Sequence, residues 1–335
     1  MRKAVNFLAA FFVYLRFFCY ICIMKKFLLI LTVACALLSS CGQGTATGKY
    51  LHEDDVAIAI DETFRAIMEE ELSAFAASHV EATMLPVYCS EDSAIRLLMA
   101  DSVKSCIATR DFTPEEKAWL KKHKRSVRSS LIAADAIALI INKQNTDSVI
   151  SVEEIRDILS GKITKWNQLS YGKREGDVKL LFDDSGSSTV RFMRDSINNG
   201  QDFAGNVYAQ GSNEAVIEKV LADPNAIGVV STDFLRSTEG KALTSWKDLK
   251  FRVMHVSRKR ADSYASYWPF QYYIATGDYP LVRKVYVLNT DGRTRSQVLN
   301  LYFFLKDEHG QLIILNNSQL LPRSRVQFRA VNVRE

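Results

Sequence analysis

From Asp54 onward the chain alternates short apolar runs with amphipathic stretches, and this alternation limits what it can fold into more than any other feature. Strand-sized and helix-sized segments in turn predict an α/β fold. Val56 to Ile60 reads as a strand, followed by an acidic amphipathic helix from about Thr63 to Ser78 that turns Phe64, Ile67, Leu72 and Phe75 inward. Ala82 to Tyr88 reads as a second strand, Asp92 to Met99 as a helix, and Ser105 to Thr109 as a third strand. Thr113-Pro-Glu-Glu is a helix start, with threonine at the N-cap, proline at the first helical position and acids at the positive end of the dipole. Leu131 to Asn142 is a long buried run, the sort of strand that can cross between domains. Ser151-Val-Glu-Glu154 is a capping box whose helix stops at Ser160-Gly161, and Trp166 packs the turn that follows. No repeat or low-complexity tract interrupts the pattern. The 335 residues suffice for two domains of roughly 150 residues each. At 47% hydrophobic and 24% charged, the composition excludes a disordered, collagen-like or polytopic membrane chain.

Charge is concentrated at one end. Residues 1–40 hold five of the 43 bases and no acid, so the remainder carries 38 of each sign and is neutral. A nucleic-acid partner, which needs a concentrated basic face, is not expected. Lys121-Lys-His-Lys-Arg125 reads as a solvated helix end. Met24-Lys-Lys26, the apolar run Phe27 to Leu37 and Leu38-Ser-Ser-Cys41 form a leader that resembles a lipobox, with Cys41 the acylated new N-terminus and Met24 the true start. The alternatives are an ordinary secretory signal and, upstream, a genuine membrane segment over Phe7 to Ile23, which Arg16 interrupts. Gly42 to Lys49 reads as a flexible tether. It resembles a phosphate loop only superficially, with one residue too few between its glycines. Cys89 and Cys106 could form a bridge in an oxidising compartment, but two cysteines and scattered histidines do not make a metal site.

The most informative stretch is Leu180 to Phe192, Leu-Leu-Phe-Asp-Asp-Ser-Gly-Ser-Ser-Thr-Val-Arg-Phe. A buried strand ends in two acids, and a hydroxyl-rich turn opens an amphipathic helix with Ser185 as its N-cap. Free backbone N–H groups and the hydroxyls of Ser187, Ser188 and Thr189 could coordinate a tetrahedral oxyanion. A capped helix without ligand reads equally well from spacing alone. A nucleophilic serine is disfavoured, because no G-x-S-x-G elbow and no S-x-x-K motif with its partners is present.

Five stretches together, in order, resemble the phosphate-binding proteins of phosphate ABC importers. They are Ile132 to Lys143, Ser151 to Leu169, the Ser185-Gly186-Ser187 turn, Pro224 to Val230 and Tyr279-Pro-Leu-Val-Arg283, and the similarity runs from about Asp54 to Arg323. The resemblance implies a two-domain periplasmic binding protein of type II, its ligand cleft between domains joined by a two-strand hinge. Residues 1–40 are then the leader, 41–53 a lipid-anchored tether, 54–136 plus 281–335 domain I, and 137–280 domain II. Carried over by position, the family's phosphate-binding groups fall at Thr63, Ser90, Arg110, Ser185, Gly186, Ser187 and Ser188.

Two departures stand out. The family's phosphate-pairing arginine is Leu181 in this chain, and its usual aspartate beside the third strand is Arg110, which could supply the missing cation. Asp183, Asp184, Asp61 and Glu62 are candidate acceptors for a phosphate proton. The resemblance implies a periplasm-facing lipoprotein on a bacterial membrane. It would be monomeric and cofactor-free, bind inorganic phosphate without covalent chemistry and deliver it to an ABC permease. The alternative is a signalling lipoprotein of the same fold that has lost or changed the oxyanion.

Overall fold

The computed structural model describes residues 55–79, 83–236 and 245–323, all within one compact unit. The leader, Cys41 and the tether lie outside these residues. Among the described residues no helix is long and apolar enough to cross a membrane.

The strands are β1 (Asp55–Asp61), β2 (Thr83–Cys89), β3 (Ser105–Ala108), β4 (Arg128–Ile141), β5 (Val149–Ser151), β6 (Lys179–Phe182) and β7 (Val207–Ala209). They continue with β8 (Ala226–Ser231), β9 (Arg252–Val253), β10 (His255–Ser257), β11 (Ser266–Tyr267), β12 (Val282–Asn289) and β13 (Leu321–Pro322). The principal sheet runs β2-β1-β3-β12-β4-β8-β6-β7, with β9 and β13 also pairing to β4, and β11-β10-β5 form a small second sheet. The helices that cover them are α1 (Arg65–Ser78), α2 (Glu91–Met99), α3 (Pro114–Lys122), α4 (Val152–Leu159) and α5 (Ser188–Phe192). After these come α6 (Asn213–Ala222), α7 (Gln271–Thr276), α8 (Gln297–Phe304) and α9 (Glu308–Asn317). The α/β alternation read from the sequence is therefore the fold.

The long apolar run explains how the sheet is joined. β4 pairs with β12 through Arg128 to Ala136 and with β8 from Ile137 to Ile141. The return crossing is at Leu281, whose carbonyl accepts the Ile137 N–H at 2.8 Å, and the Tyr279 hydroxyl donates to the Ile137 carbonyl at 2.6 Å. Each half of the sheet has its own apolar layers. Ile58, Ile60, Phe64, Phe75 and Leu301 pack on the β1–β3–β12 half. Ile137, Leu139, Trp166, Phe182 and Val229 pack on the β4–β8–β6 half.

Local signals act as their chemistry dictates. Thr113 and Ser151 both close reciprocal capping boxes, and Gly161, at φ +77°, takes the left-handed turn after α4 that a side chain would resist. Lys121 to Lys124 are exposed at the end of α3. The helix expected to open on Ser185 opens two residues later, because Ser187 takes the N-cap and accepts the Val190 N–H. Cys89 and Cys106 are free thiols. They sit on β2 and β3, which flank β1, opposite Asp61 and Ala59. Two strand spacings of about 4.8 Å separate them, more than the roughly 7 Å a disulfide can span.

Candidate functional site

The site begins where β1 ends. Asp61 turns its carboxylate onto the Thr63 N–H at 3.1 Å and so caps the single helical turn Glu62–Phe64 that leads into α1. Capping and the inward face of that turn bury Thr63 and Phe64. Across from it β6 ends in Asp183-Asp184, and both acids are used to shape the turn. Asp184 accepts the Gly186 N–H at 2.8 Å, and Asp183 takes the Ser187 hydroxyl at 2.6 Å and the Asn213 amide at 3.2 Å. The turn delivers Ser188 and Thr189, both fully buried, against Thr63; the Thr63 and Ser188 hydroxyls are 3.5 Å apart.

The charge at this point comes from β12. Arg283 lies opposite Asp135 of β4 in the sheet register, and its Nε donates to Asp135 Oδ2 at 2.8 Å. Ser231 and Thr232 donate to the other oxygen of Asp135, each at 2.8 Å, so this acid is filled. The guanidinium reaches on: Nη1 donates to Ser188 Oγ at 2.9 Å, and its carbon stands 5.5 Å from the centre of the Phe64 ring. Nη2 is buried and has no partner, and the same is true of Asp61 Oδ2. An unpaired buried donor or acceptor costs about 1–3 kcal/mol, so two in one cluster call for a physical reason. Burial, then the Glu91 carboxylate, push the Asp61 carboxyl up to about 7, against the opposing pull of Arg283, Ser188 and the Thr63 amide.

A second cluster closes the outer side. Glu91, the first residue of α2, is buried and accepts the Thr109 N–H at 2.5 Å and hydroxyl at 2.8 Å, together with Arg191 Nε at 2.5 Å. Arg191 Nη2 also donates to Thr109 at 2.7 Å. Burial works against ionisation of Glu91, but Arg191 and Thr109 outweigh it and hold its pKa below the usual range. Ser90 stands before α2 with its hydroxyl on Ser93, and a Cβ placed on Gly186 would lie 3.4 Å from Ser90 Oγ.

The expected residues therefore divide. Thr63 and Ser188 meet directly, Asp183 and Ser187 hold the turn behind them, and Gly186 lies against Ser90. Ser185 and Asp184 are exposed. Arg110 does not join: its guanidinium forms a two-point pair with Glu116, at 2.8 and 2.7 Å, because that acid is presented by the α3 capping box six residues on. Glu62 is likewise taken, by Arg65. Leu181, on the alternate face of β6, is buried among Ile140, Val216 and Val220, so its apolar character suits where it points. While Arg110 is engaged by Glu116, the arginine in contact with the Thr63–Ser188 pair is Arg283. A signal for it was present: Asp135 is the only charge in the buried run Leu131 to Asn142, and a buried acid demands a partner. Among the described residues no group of three His, Cys, Asp or Glu side chains could hold a metal.

Relatives share this architecture. The Phosphate-binding protein PstS of Staphylococcus epidermidis strain RP62A is 22% identical over 299 residues, 86% of this chain and 87% of that one. Its counterpart from Staphylococcus haemolyticus is 23% identical over 264 residues, 75% and 83% respectively. Among solved structures, an ABC-type phosphate transport receptor from Vibrio cholerae superposes with a TM-score of 0.60 at 18% identity, covering 78% of this chain and 97% of that one. PstS from Borrelia burgdorferi gives 0.52 at 20%, covering 81% and 99%. These structural likenesses show the fold, and a model of the PBP superfamily domain matches residues 40–301, so the chain belongs to that superfamily.

Proposed function

We propose that the protein is an extracytoplasmic receptor that binds inorganic phosphate reversibly between the two halves of its sheet and hands it to an ABC importer. The observation that carries this reading is the pair of buried, unpaired groups, Arg283 Nη2 and Asp61 Oδ2, beside the Thr63 and Ser188 hydroxyls. One is a cationic donor and the other a carboxylate acceptor. A protonated oxyanion satisfies both, its charged oxygen taking the guanidinium N–H while its hydroxyl donates to Asp61. The relatives bearing the name phosphate-binding protein supply the chemical class. Residues 54–136 with 281–335, and 137–280, serve as the two lobes, with β4 and the return crossing at Leu281 as the hinge. A lipid on Cys41 anchors the monomer to the membrane on its periplasmic face. No covalent step is needed: the Ser187 hydroxyl is committed to Asp183, and none of the described histidines belongs to the cluster.

Arg283→Lys and Arg110→Ala separate the two possible cations. Lysine keeps a charge for Asp135 but loses the fork, so phosphate affinity by calorimetry should fall at least tenfold, whereas Arg110→Ala should stay within twofold. The reverse pattern would return the role to Arg110.

A further inference from the structure

Next to the β9 edge of the sheet is a cavity of about 740 Å³, a size that fits a small organic molecule, and none of the residues of the Arg283 cluster lines it. Its apolar lining includes Trp246, Trp268 and Phe270. Trp246 and Phe270 stack at 4.3 Å with an interplanar angle of 5°, Phe270 meets Trp268 edge-on at 6.0 Å, and the Trp268 indole donates to the Val253 carbonyl at 3.2 Å. These contacts hold the aromatic wall in place before any ligand arrives.

The charges of the lining all have one sign. Lys143, Lys247 and Arg252 contribute, and no acid does. Among the described residues none of the three is in an ion pair; Lys143 Nζ and Arg252 Nη2 make only long contacts, of 3.4 Å, to backbone carbonyls. Trp246 Nε1 and Arg252 Nε are buried away from the cavity and have no acceptor among the described residues, which leaves Arg252 Nη2 and the two ammonium groups as the charged donors of the lining. The lining is thus aromatic on one side, positively charged and without a carboxylate to offset that charge. The occupant it fits is flat, apolar in body and anionic at one end.

We propose that this cavity is a second ligand site, for a small aromatic carboxylate. The ring packs against the indole and phenyl faces, and the carboxylate takes the Arg252 Nη2 N–H groups in the field of the two lysines.

The probe is naphthalene-2-carboxylate, titrated calorimetrically into the full chain, with the neutral naphthalene-2-carboxamide as its control. The expected result is saturable binding at one site, at least tenfold weaker for the carboxamide, and at least tenfold weaker for the acid in Arg252→Ala. A thermal melt shows whether that variant is folded, and the carboxamide comparison needs no variant. Absence of binding at millimolar acid, equal affinity for the two probes, or unchanged affinity in folded Arg252→Ala would each overturn the proposal.

Discussion

At the scale of single residues, the proposed selectivity for a protonated oxyanion rests on Asp61. Its carboxyl, pushed up to about 7 by burial and Glu91, keeps one oxygen free, and above that pH it is a carboxylate whose oxygen can accept a proton but not give one. Phosphate still has a proton to offer at such pH and sulfate does not. Asp61→Asn replaces the acceptor with a group that can also donate, so the preference for phosphate over sulfate should shrink at least tenfold in competition calorimetry; an unchanged preference would remove Asp61 from the ligand. The hydroxyls of this site were legible in the sequence, because Thr63 and Ser188 sit at recognisable strand-to-helix turns. Arg283 was not, although it ends one of the stretches that carried the resemblance. Nothing local distinguishes it from Arg110: the difference is that Arg110 has Glu116 six residues away, whereas Arg283 meets Asp135 from 148 positions earlier in the chain.

At the scale of elements, caps were readable where the whole signal was local, as at Thr113 and Ser151, and misread where a competing turn intervened. The Asp184 side chain and carbonyl bind the Gly186 and Ser187 N–H groups and postpone the helix past Ser185. α1 carries a different kind of surprise. Glu71 is fully buried with both carboxyl oxygens unpaired, and a Cβ on Gly310 of α9 would come within 3.1 Å of it. Burial, then Asp307 and Glu70, push its pKa up to about 9. An acid whose folded pKa exceeds its unfolded value contributes stability that is complete below the unfolded value, about 4.5, and lost as pH rises toward 9. Stability should therefore decline from mildly acidic to mildly alkaline pH, with Glu71 accounting for on the order of a few kcal/mol. Glu71→Gln should flatten that decline in denaturant melts between about pH 5.5 and 8.5; an identical slope in the variant would place the loss elsewhere. Asp61, and Asp233 at about 6, add to the same trend at its acidic end.

At the scale of the whole molecule, the two halves of the sheet are tied together around the site by side chains distant in sequence. Arg191 reaches Glu91 and Thr109 on one side, and on the other Arg236 reaches Glu70 at 2.9 Å while Asn317 also holds that acid. The crossing strand was legible, since a strand buried on both faces reads as a continuous apolar run. These ties were not, since each joins residues 82 or more positions apart. If the two halves move as the proposed lobes, these ties set the balance between closed and open forms. Arg191→Ala with Arg236→Ala should enlarge the ligand-free protein in solution scattering, and added phosphate should return it to the compact form. Equal dimensions before and after substitution would show that the ties do not hold closure.

The account depends most on one protonated oxyanion lying between Arg283 and Asp61. Calorimetric titration of anion-stripped protein with phosphate and with sulfate at mildly alkaline pH, above the Asp61 value of about 7, tests this directly. The prediction is one-to-one phosphate binding at micromolar affinity or tighter with sulfate silent. No heat from phosphate, or equal binding of sulfate, would contradict it.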